Sequence, residues 1–519
     1  MVTKDWFPLD SATANVLVVV VGIIFILVQA RSRKLNPSGL PVFNDRKWFE
    51  FGYDKAKKRY IADPESLIRS GLKKVRIAVF TQSMLALMPE LENTGFRLIL
   101  SPKYADMIRN DDRLDLGQFL GSDFLTGIPG FEPLSNIALE SKIIQTTTKT
   151  KITRQTPKLV SPLTEEAARA MDRIWSKESE WHQVNLKNTA SQIVAQMVSR
   201  AYLGNVDLCR NPAWLQLMYD LLEESFITAH ILRRWPRPLR SLAAWSIPNY
   251  RTVRAQLKEA TEYLQPLFDE EKRPVSLNHN DDPDANAISW LKNASKGRAY
   301  NFATLLITLG FASLDTSADL LVKVLCDLSD NATLVDDIRN EIIEVVGKEG
   351  LTKSSIQNLR LLDSAMKESQ RIAPLAYVNM LRLAKEKVVL PDGLIIPKGT
   401  ALMVSACHMM DSSVWTDGEK YDGYRFANLR KSEKDSTYSP YLFTSTSPDH
   451  MGFGHGKQAC PGRHYAATLG KIALCHILLK YDFDVILPPE GRIAMRGHNM
   501  LANSNIRINL RRREEEIHL

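Results

Sequence analysis

One short loop constrains this chain more than any other segment. It reads FGHGKQACPGR, residues 453 to 463, and sets a single cysteine among glycines and basic residues. Two glycines precede Cys460, and a third follows it after Pro461. Because glycine tolerates turns and close approaches that other residues do not, we expect the backbone to wrap tightly around the sulfur. The apolar run at 465–479 predicts a helix that starts just after the loop.

Such a loop can direct several backbone N–H groups at a cysteine thiolate. A thiolate bound to haem iron needs this arrangement, because hydrogen bonds to the sulfur, a helix N-terminus and exclusion of water tune both ligand and iron. Two other interpretations stay open at this point. One is a zinc site, which His455 and His464 suggest, although their spacing matches no closed Cys/His site. A cysteine nucleophile would need a base and an oxyanion partner, which the sequence neither shows nor excludes.

The other cysteines and the composition indicate one large folded body. Five cysteines, odd in number and scattered, are unlike the disulfide framework of a small secreted domain. We expect four of them to be small buried apolar side chains: Cys209, Cys326, Cys407 and Cys475. The chain has 519 residues, 44% hydrophobic and 24% charged, as in globular proteins. Its net charge of +8 is spread along the sequence, which argues against a nucleic-acid-binding protein.

The N-terminus carries an apolar segment, ATANVLVVVVGIIFILVQA, from Ala12 to Ala30. As a helix rising about 1.5 Å per residue, it would roughly cross the hydrocarbon core of a bilayer. Basic residues follow the segment, and no net positive charge precedes it. The positive-inside rule therefore predicts a signal anchor with the rest of the chain in the cytosol. A signal peptide cleaved after Ala30 is the rival interpretation, and the position of the basic residues favours the anchor.

Helical patterns predominate in the body of the chain. Residues 215–234 are amphipathic, 299–328 are strongly apolar, and 354–373 repeat apolar residues every three or four positions. The clearest strand signal is VVLPDGLIIPKGTALMV, in which Asp392 and Gly393 form a hairpin turn between branched aliphatic residues. The sequence predicts a mainly α domain with small β-sheets.

The loop resembles the haem-binding signature of the cytochrome P450 superfamily. The matching residues are Phe453, Gly456, Cys460 and Gly462. The resemblance implies the cytochrome P450 fold, haem b (iron protoporphyrin IX) as cofactor, and Cys460 as the axial ligand of its iron. On this basis the chain divides into four parts: a lumenal tip (1–11), the transmembrane signal anchor (12–30), a basic, proline-rich linker (31–41) and a haem-thiolate catalytic domain (42–519).

A second motif, KESQR, places Glu368 and Arg371 one helical turn apart. Pairs at this spacing usually decorate solvated helix faces, so the motif alone says little. In the family the pair is buried and bound to an arginine about fifty positions later, a place that Arg425 fills in YDGYRF. The resemblance therefore implies a structural network that holds the haem pocket together.

A third motif lies in the long apolar segment LITLGFASLDTSADLLV. Asp315 and Thr316 match the acid and the hydroxyl that deliver protons during dioxygen activation in the family. The alternative is a helix with one solvent-exposed face, on which these polar residues have no catalytic role. Position 313, usually glycine, is serine here, and a serine hydroxyl that bonds back to a carbonyl would open the same groove in the helix.

Haem carries two propionates, which need cationic partners. The resemblance points to Arg382 and to Arg154 in KITRQTPKLV, although both would serve equally as surface bases. The family often has His or Arg two residues before the cysteine. Gln458 stands there instead, and it can hydrogen bond but not neutralise a carboxylate.

Three segments, TPKLV, FITAHILRRWPRPLR and MKESQR, resemble the fungal ent-kaurene oxidase group and its relatives that act on diterpenoids and indole diterpenoids. The resemblance implies a membrane-anchored monooxygenase in secondary metabolism, on the endoplasmic reticulum with a cytosolic catalytic domain. Its substrates would be O2 and a bulky apolar terpenoid delivered from membrane lipid under residues 226–231. The implied electron donor is NADPH–cytochrome P450 reductase, docking near Lys457 and Arg463, with cytochrome b5 as a further partner and no nucleic acid.

Two other functions stay open. A haem-thiolate isomerase or dehydratase would rearrange an oxygenated substrate without a reductase, and retention of Asp315 and Thr316 argues for oxygen activation instead. A non-catalytic haem-binding membrane protein would not require that acid and alcohol.

Overall fold

The computed structural model describes residues 42–519, except 45, 46, 48, 49, 51–53, 75, 76, 82–95, 140, 236, 271–285 and 432–438. The predicted lumenal tip, anchor and linker, residues 1–41, lie outside the described residues. The description therefore concerns the body of the chain, for which the sequence predicts a mainly helical domain.

Helices make up most of the described chain. They are α1 (Asp54–Ala62), α2 (Pro64–Lys74), α3 (Ala105–Ile108), α4 (Leu116–Asp123), α5 (Glu132–Ser135), α6 (Ile143–Thr147), α7 (Thr153–Ile174), α8 (Leu186–Leu203), α9 (Val206–Arg210), α10 (Pro212–Arg233), α11 (Arg240–Ala244), α12 (Pro248–Glu270), α13 (Ala287–Ser295), α14 (Phe302–Ser329), α15 (Ala332–Glu349), α16 (Lys353–Asn358), α17 (Arg360–Ile372), α18 (Arg425–Lys431) and α19 (Arg463–Lys480).

The strands are short. They are β1 (Val42–Phe43), β2 (Ile77–Thr81), β3 (Phe96–Leu100), β4 (Leu114–Asp115), β5 (His182–Asn185), β6 (Val378–Ala384), β7 (Val388–Val389), β8 (Ile395–Ile396), β9 (Ala401–Ser405), β10 (Tyr481–Ile486), β11 (Ile493–Arg496), β12 (Asn499–Ala502) and β13 (Arg507–Arg512). One sheet has the order β1-β2-β3-β9-β6-β4, a second has β10-β13-β5, and two hairpins pair β11 with β12 and β7 with β8. The mainly α fold with small sheets is confirmed.

The hairpin predicted at Asp392 and Gly393 is present. Strands β7 and β8 pair antiparallel on either side of it, and Gly393 adopts a φ of +86°, which glycine reaches without strain. The chain then enters β9, which lies between β3 and β6 and is hydrogen-bonded to both. The hairpin therefore leads directly into a central strand of the larger sheet.

The helical pattern at 354–373 corresponds to two helices rather than one. The break falls at Leu359, between α16 and α17, where the backbone leaves the helical region. The carboxylate of Glu341 accepts hydrogen bonds of 2.7 to 3.0 Å from the first three N–H groups of α17, those of Arg360, Leu361 and Leu362. This carboxylate, from another helix, binds backbone N–H groups that would otherwise bond within one continuous helix. The periodic spacing of apolar residues in the sequence therefore could not show the break.

Helix α14 is the core of the domain. It starts after Asn301, whose side chain accepts from the Thr304 N–H, and it packs against α8, α17 and α19. Among the described residues it is the one helix long and apolar enough to cross a membrane, and most of that stretch is buried inside the domain. Its apolar composition therefore fits a core helix.

Candidate active site

The loop before α19 holds Cys460 in a backbone shape that depends on glycine. Gly454 and Gly456 adopt φ angles of +73° and +79°, where other residues are strained. A Cβ atom on Gly456 would lie 2.4 Å from the Arg109 Cβ and 2.6 Å from its carbonyl oxygen. The Cys460 N–H donates 2.8 Å to the carbonyl oxygen of Phe453 and closes the loop. The sequence pattern thus corresponds to a tight wrap around the cysteine.

The sulfur of Cys460 faces the N-terminus of α19. The backbone amides of Gly462 and Arg463 lie at this helix start, and a Cβ on Gly462 would lie 3.9 Å from the Sγ atom. Cys460 is accessible to solvent, but the surrounding loop partly buries its sulfur, and this burial raises the pKa of the thiol. The backbone amides of Gly462 and Arg463 and the Arg463 charge act to lower that pKa and only partly oppose the effect of burial. A thiolate here therefore gains from a bound cation. The Phe453 ring packs edge-on against Phe443, with centroids 5.0 Å apart, and fixes the loop to the core.

Arg382 and Arg154, the two candidate propionate partners, lie in very different surroundings. Arg382 on β6 is 1% exposed, and burial lowers the pKa of its guanidinium to about 10. Its Nη1 donates 2.8 Å to the Leu381 carbonyl, whereas Nε and Nη2 have no partner among the described residues. Such buried donors require an acceptor, and a ligand carboxylate would satisfy them. Arg154 is exposed near the start of α7, where the described residues give it no hydrogen bond.

The central helix α14 exposes two positions of one face within its buried length, Ala312 and Thr316. The Thr316 hydroxyl donates 3.2 Å to the Ala312 carbonyl, one turn back. On the neighbouring face, the Lys187 ammonium donates 3.0 Å to Oδ1 of Asp315. The acid and the hydroxyl are thus adjacent but differently held, Thr316 by its own helix and Asp315 by a lysine from α8.

Ser313 links this helix to Tyr202 of α8. Its hydroxyl donates 3.0 Å to the Leu309 carbonyl, the back-bond expected for a serine at this position, and it accepts a 2.7 Å hydrogen bond from the hydroxyl of Tyr202. Burial first, and then the nearby Cys460 sulfur, raise the pKa of Tyr202. The Tyr202 ring also lies 5.5 Å, centroid to centroid, from the ring of Tyr465, so this tyrosine joins the middle of α14 to α19, the helix that follows the cysteine loop.

Glu368, Arg371 and Arg425 form the predicted network. The two carboxylate oxygens of Glu368 accept from Nε and Nη2 of Arg371 at 2.8 and 2.7 Å, and Oε1 also accepts from Nε of Arg425 at 3.0 Å. Glu368 and Arg371 are fully buried, and Arg425 nearly so. The remaining guanidinium donors reach backbone carbonyls of Met409, Gly418, Thr416, Asp417 and Lys420. The exposed-face alternative is therefore wrong for this pair.

The comparison with known proteins agrees with this arrangement. The family model described as Cytochrome P450 matches residues 141–509. The chain belongs to the cytochrome P450 family. It is 39% identical to cytochrome P450 monooxygenase adrA of Penicillium rubens, over 95% of each chain. It is 34% identical to cytochrome P450 monooxygenase esdpI of Penicillium shearii over 92% of each, and 36% identical to cytochrome P450 monooxygenase pyr3 of Aspergillus fumigatus over 100% of this chain and 98% of that one.

Haem is the cofactor of cytochrome P450 proteins, and the residues of this chain fit it. Cys460 offers a sulfur just before the start of α19, and Arg382 offers two buried donors without an acceptor among the described residues. Burial raises the thiol pKa of the other four cysteines to about 12, as expected for inert core side chains: Cys209, Cys326, Cys407 and Cys475. Within the described part of the chain, no three His, Cys, Asp or Glu side chains cluster as they would around a metal ion.

Sequence reasoning considered other roles for two residues that hold this cytochrome P450 site. The His455 ring lies 3.1 Å from Asp106 and 3.3 Å from Arg109, so it joins the cysteine loop to helix α3. Gln458, considered above as a substitute for a propionate-binding base, instead clamps the backbone: its amide accepts from the Leu116 N–H and donates to the Leu114 carbonyl, both at 2.7 Å. The glutamine is thus engaged by the protein itself.

Proposed function

We propose that this protein is a haem-thiolate monooxygenase that uses O2 and NADPH-derived electrons to hydroxylate, or oxidise in several steps, a bulky apolar substrate. The observation that carries the proposal is the position of Cys460 just before the N-terminus of α19, in a loop turned tightly at Gly454 and Gly456. The printed names of the relatives, each a cytochrome P450 monooxygenase, support the same reaction class.

The residues of the chain position reactants and protons. When bound through Cys460, haem would supply the redox chemistry for O2 activation and C–H oxidation. The exposed hydroxyl of Thr316 can exchange its bond to the Ala312 carbonyl for one to a reactant, and so present a proton. The carboxylate of Asp315, fixed by Lys187, takes up and releases protons beside it. The network around Glu368 holds α17 and α18 together.

The proposed substrate class is a terpenoid, either a diterpenoid or an indole diterpenoid. The resemblance of three segments to terpenoid-oxidising relatives supports it, as does an apolar contact between α4 and α10. There the rings of Phe124 and Phe226 pack edge-on, 5.9 Å apart. Both rings are half-buried, and aromatic surface of this kind favours contact with polycyclic hydrocarbons over polar substrates.

The proposed location is the endoplasmic reticulum membrane, with a single anchor at 12–30 and a cytosolic catalytic domain. An exposed apolar segment that follows α10 supports membrane contact. Its exposed side chains are Trp235, Leu239, Leu242 and Trp245. Arg237, which is also exposed, lies between them, and tryptophan with arginine is the composition of a surface that lies in the headgroup region of a bilayer. Because this segment follows Phe226 to Ile231, an apolar substrate would enter from the lipid beneath it.

The proposed electron donor is NADPH–cytochrome P450 reductase, with cytochrome b5 as a second donor. Lys457 and Arg463 flank Cys460 on the loop, and both are at least partly accessible. An acidic donor surface would meet these bases close to the thiolate. Lys457 is held by Asp112 at 2.5 Å, so docking would exchange that partner for one on the donor.

Three measurements test the proposal. The full chain, reduced and exposed to carbon monoxide, should give the difference spectrum of a thiolate-ligated haem, and Cys460→Ala should abolish it. Substrate-dependent NADPH consumption with reductase then separates a monooxygenase from an isomerase, which needs no reductase, and from an inert haem protein. Deleting the gene should cause a terpenoid precursor to accumulate. Accumulation of a precursor of another chemical class would overturn only the substrate assignment and would leave the monooxygenase proposal standing.

A further inference from the structure

A polar cavity of about 150 Å³ lies between α8 and α10, and it belongs to none of the sites described above. Some of its lining side chains are buried, among them Ser191, Ala195 and Leu215, and others are exposed, among them Arg173, Asn188 and Gln216. The cavity therefore opens to solvent and also reaches into the domain. Drug-sized ligands occupy pockets of about 300 to 1,000 Å³, so this cavity suits a smaller molecule.

The cavity extends along α8. Asn188 and Ala195 both line it and are seven residues apart, so the lining covers about 10 Å of the helix at 1.5 Å per residue. Tyr219 of α10 interacts electrostatically with Lys187, which directly precedes Asn188. The cavity thus has two ends, one at Ala195 and one at Asn188 and Tyr219.

The Ala195 end carries an arginine that is held in place but has no acidic partner. Nη2 of Arg173 donates 3.0 Å to Oε1 of Gln196, and Nε2 of Gln196 donates 2.7 Å to Oε2 of the buried Glu166. Arg210 in turn binds Oε1 of Glu166 at 2.5 Å. Within the described part of the chain, Arg173 forms no ion pair with a carboxylate. A positioned guanidinium with unused donors suits the carboxylate of a ligand.

The middle of the cavity combines one hydroxyl with apolar surface. Ser191 is 4% exposed, and its hydroxyl has no hydrogen-bond partner among the described residues. Leaving a buried hydroxyl unpaired is unfavourable, so such a group normally bonds to water or to a ligand. Leu215 and Ala195 contribute buried apolar surface to the same lining. A short apolar body with a polar substituent therefore fits between the two helices.

The Tyr219 end disfavours a second negative charge. Burial first, and then Glu223 and Asp315, raise the pKa of Tyr219, so an anion is unfavourable beside it. The Asn188 side chain at this end uses its Oδ1 to accept 2.6 Å from Nε2 of Gln192, which leaves its N–H groups for water or a ligand. A neutral hydrogen-bonding group of a ligand belongs at this end.

We propose that this cavity binds a small monocarboxylic acid that carries a hydroxyl group, with the carboxylate on Arg173 and the hydroxyl toward Tyr219. No covalent bond forms or breaks in this binding, and the site does not depend on the proposed reaction.

The position of the cavity also gives the acid an effect. Its walls belong to α8 and α10, so a bound acid ties these helices together. Two turns beyond Tyr219, α10 reaches Phe226, which lies in the proposed substrate wall. We infer that the acid is an effector of substrate binding, and this second part rests on the proposed function.

Calorimetric titration of the full-length, haem-loaded protein with 4-hydroxybenzoate tests the site. We expect one saturable site with a Kd below about 1 mM. Arg173→Gln should weaken binding at least tenfold. The matched control is Arg169→Gln, one turn earlier on α7, which removes an exposed arginine paired with Glu165 and should leave the Kd unchanged. All three proteins should give the same carbon monoxide difference spectrum.

Two further measurements locate the ligand. The neutral analogue 4-hydroxybenzamide should bind the wild type at least tenfold more weakly, because it lacks the carboxylate. Ser191→Leu fills the middle of the cavity and should abolish binding of 4-hydroxybenzoate. If the wild type shows no saturable binding, or if Arg173→Gln binds as tightly as the wild type, the inference is wrong and the cavity holds water only.

Hydrogen exchange tests the effector role without turnover. Saturating 4-hydroxybenzoate should slow exchange of the backbone amides at 222–233 of α10 in the wild type and in Arg169→Gln, but not in Arg173→Gln. Binding with unchanged exchange in α10 would overturn the effector role and leave the site standing. Failure of the monooxygenase proposal looks different, because the wild type would then consume no NADPH with reductase while both binding and exchange stayed as expected.

Discussion

The Nε atom of Arg425 donates a 3.0 Å hydrogen bond to Oε1 of Glu368, a residue 57 positions earlier in the chain. This bond joins α18 to α17, and Arg371 binds the same carboxylate from within α17. All three charges are removed from water, so each depends on the others. The arrangement makes the segment before the cysteine loop part of the same rigid unit as α17.

Removing one partner of this network should be strongly destabilising. Glu368→Gln leaves two buried guanidinium groups without their carboxylate, and we expect a loss of about 3 to 5 kcal/mol in the free energy of unfolding. Haem incorporation should fall with it. Urea unfolding and the carbon monoxide difference spectrum measure the two effects. Glu344→Gln is the control, because its 3.2 Å pair with Lys348 is exposed and should contribute about 0.5 kcal/mol.

Two glycines with nearly the same φ angle allow two effects of a glycine-to-alanine substitution to be measured separately: backbone strain and a clash of the added Cβ atom with neighbouring atoms. Gly456 has a φ of +79° and would drive a Cβ into Arg109, whereas Gly297 has a φ of +80° and no atom within 4 Å of that point. Gly297→Ala should cost roughly 1 to 2 kcal/mol from strain alone. Gly456→Ala should in addition displace the loop and abolish the haem spectrum. Equal haem content in both variants would contradict the close packing of this loop.

Local patterns made much of this structure predictable. The glycines around Cys460, the hairpin at Asp392 and the apolar length of α14 are set by residues close together in sequence. The ion pair between Glu368 and Arg371 is local too, but its burial is not, and only the resemblance to the family indicated it. Spacing therefore predicts which groups can meet, while packing decides what they do.

Long-range contacts were beyond the sequence. Arg109 and His455 meet across 346 positions, and Lys187 and Asp315 across 128, with no local pattern to connect them. Arg382 and Arg154 looked equivalent because burial depends on how strands and helices assemble. Arg382 lies on β6, paired with β9 and β4 inside a sheet, while Arg154 starts a helix at the surface.

The two arginines should differ in their effect on haem binding. Arg382→Leu removes buried donors that have no acceptor among the described residues, so we expect faster haem loss from the variant. Arg154→Leu changes an exposed side chain and should have a much smaller effect. Transfer of haem to apomyoglobin measures both rates. The burial argument fails if Arg154→Leu releases haem as fast as Arg382→Leu. Arg382→Lys should be intermediate, since it keeps the charge but not the planar fork.

Buried histidines should make the protein sensitive to acid. Burial, followed by the charges of Lys480 and Arg512, lowers the pKa of His476 to about 3. Above pH 6.5 the ring is neutral in both folded and unfolded chains. As pH falls below 6.5 the unfolded chain takes up the proton first, so stability declines by about 1.4 kcal/mol per pH unit until about pH 3.

The variant His476→Leu tests this dependence. Its free energy of unfolding should fall less steeply between pH 6.5 and 5, with a difference of about 2 kcal/mol at pH 5. Urea unfolding at several pH values provides the measurement. His518→Gln changes an exposed histidine near the C-terminus and should leave the slope as in wild type. Identical slopes for both variants would show that His476 is protonated in the folded protein.

The hydroxyl of Thr316 should govern how efficiently electrons become product. In Thr316→Ala no hydroxyl remains beside the exposed face of α14, so protons are delivered less selectively and the oxygen chemistry should release more hydrogen peroxide. We expect the yield of product per NADPH to fall by roughly 100-fold. Thr316→Ser keeps the hydroxyl and should retain most of the yield. Product and peroxide are measured together against NADPH, in protein with matched carbon monoxide spectra. If Thr316→Ala and Thr316→Ser give the same yield, the hydroxyl carries no proton, and the face of α14 that includes Ala312 acts on the substrate through shape alone.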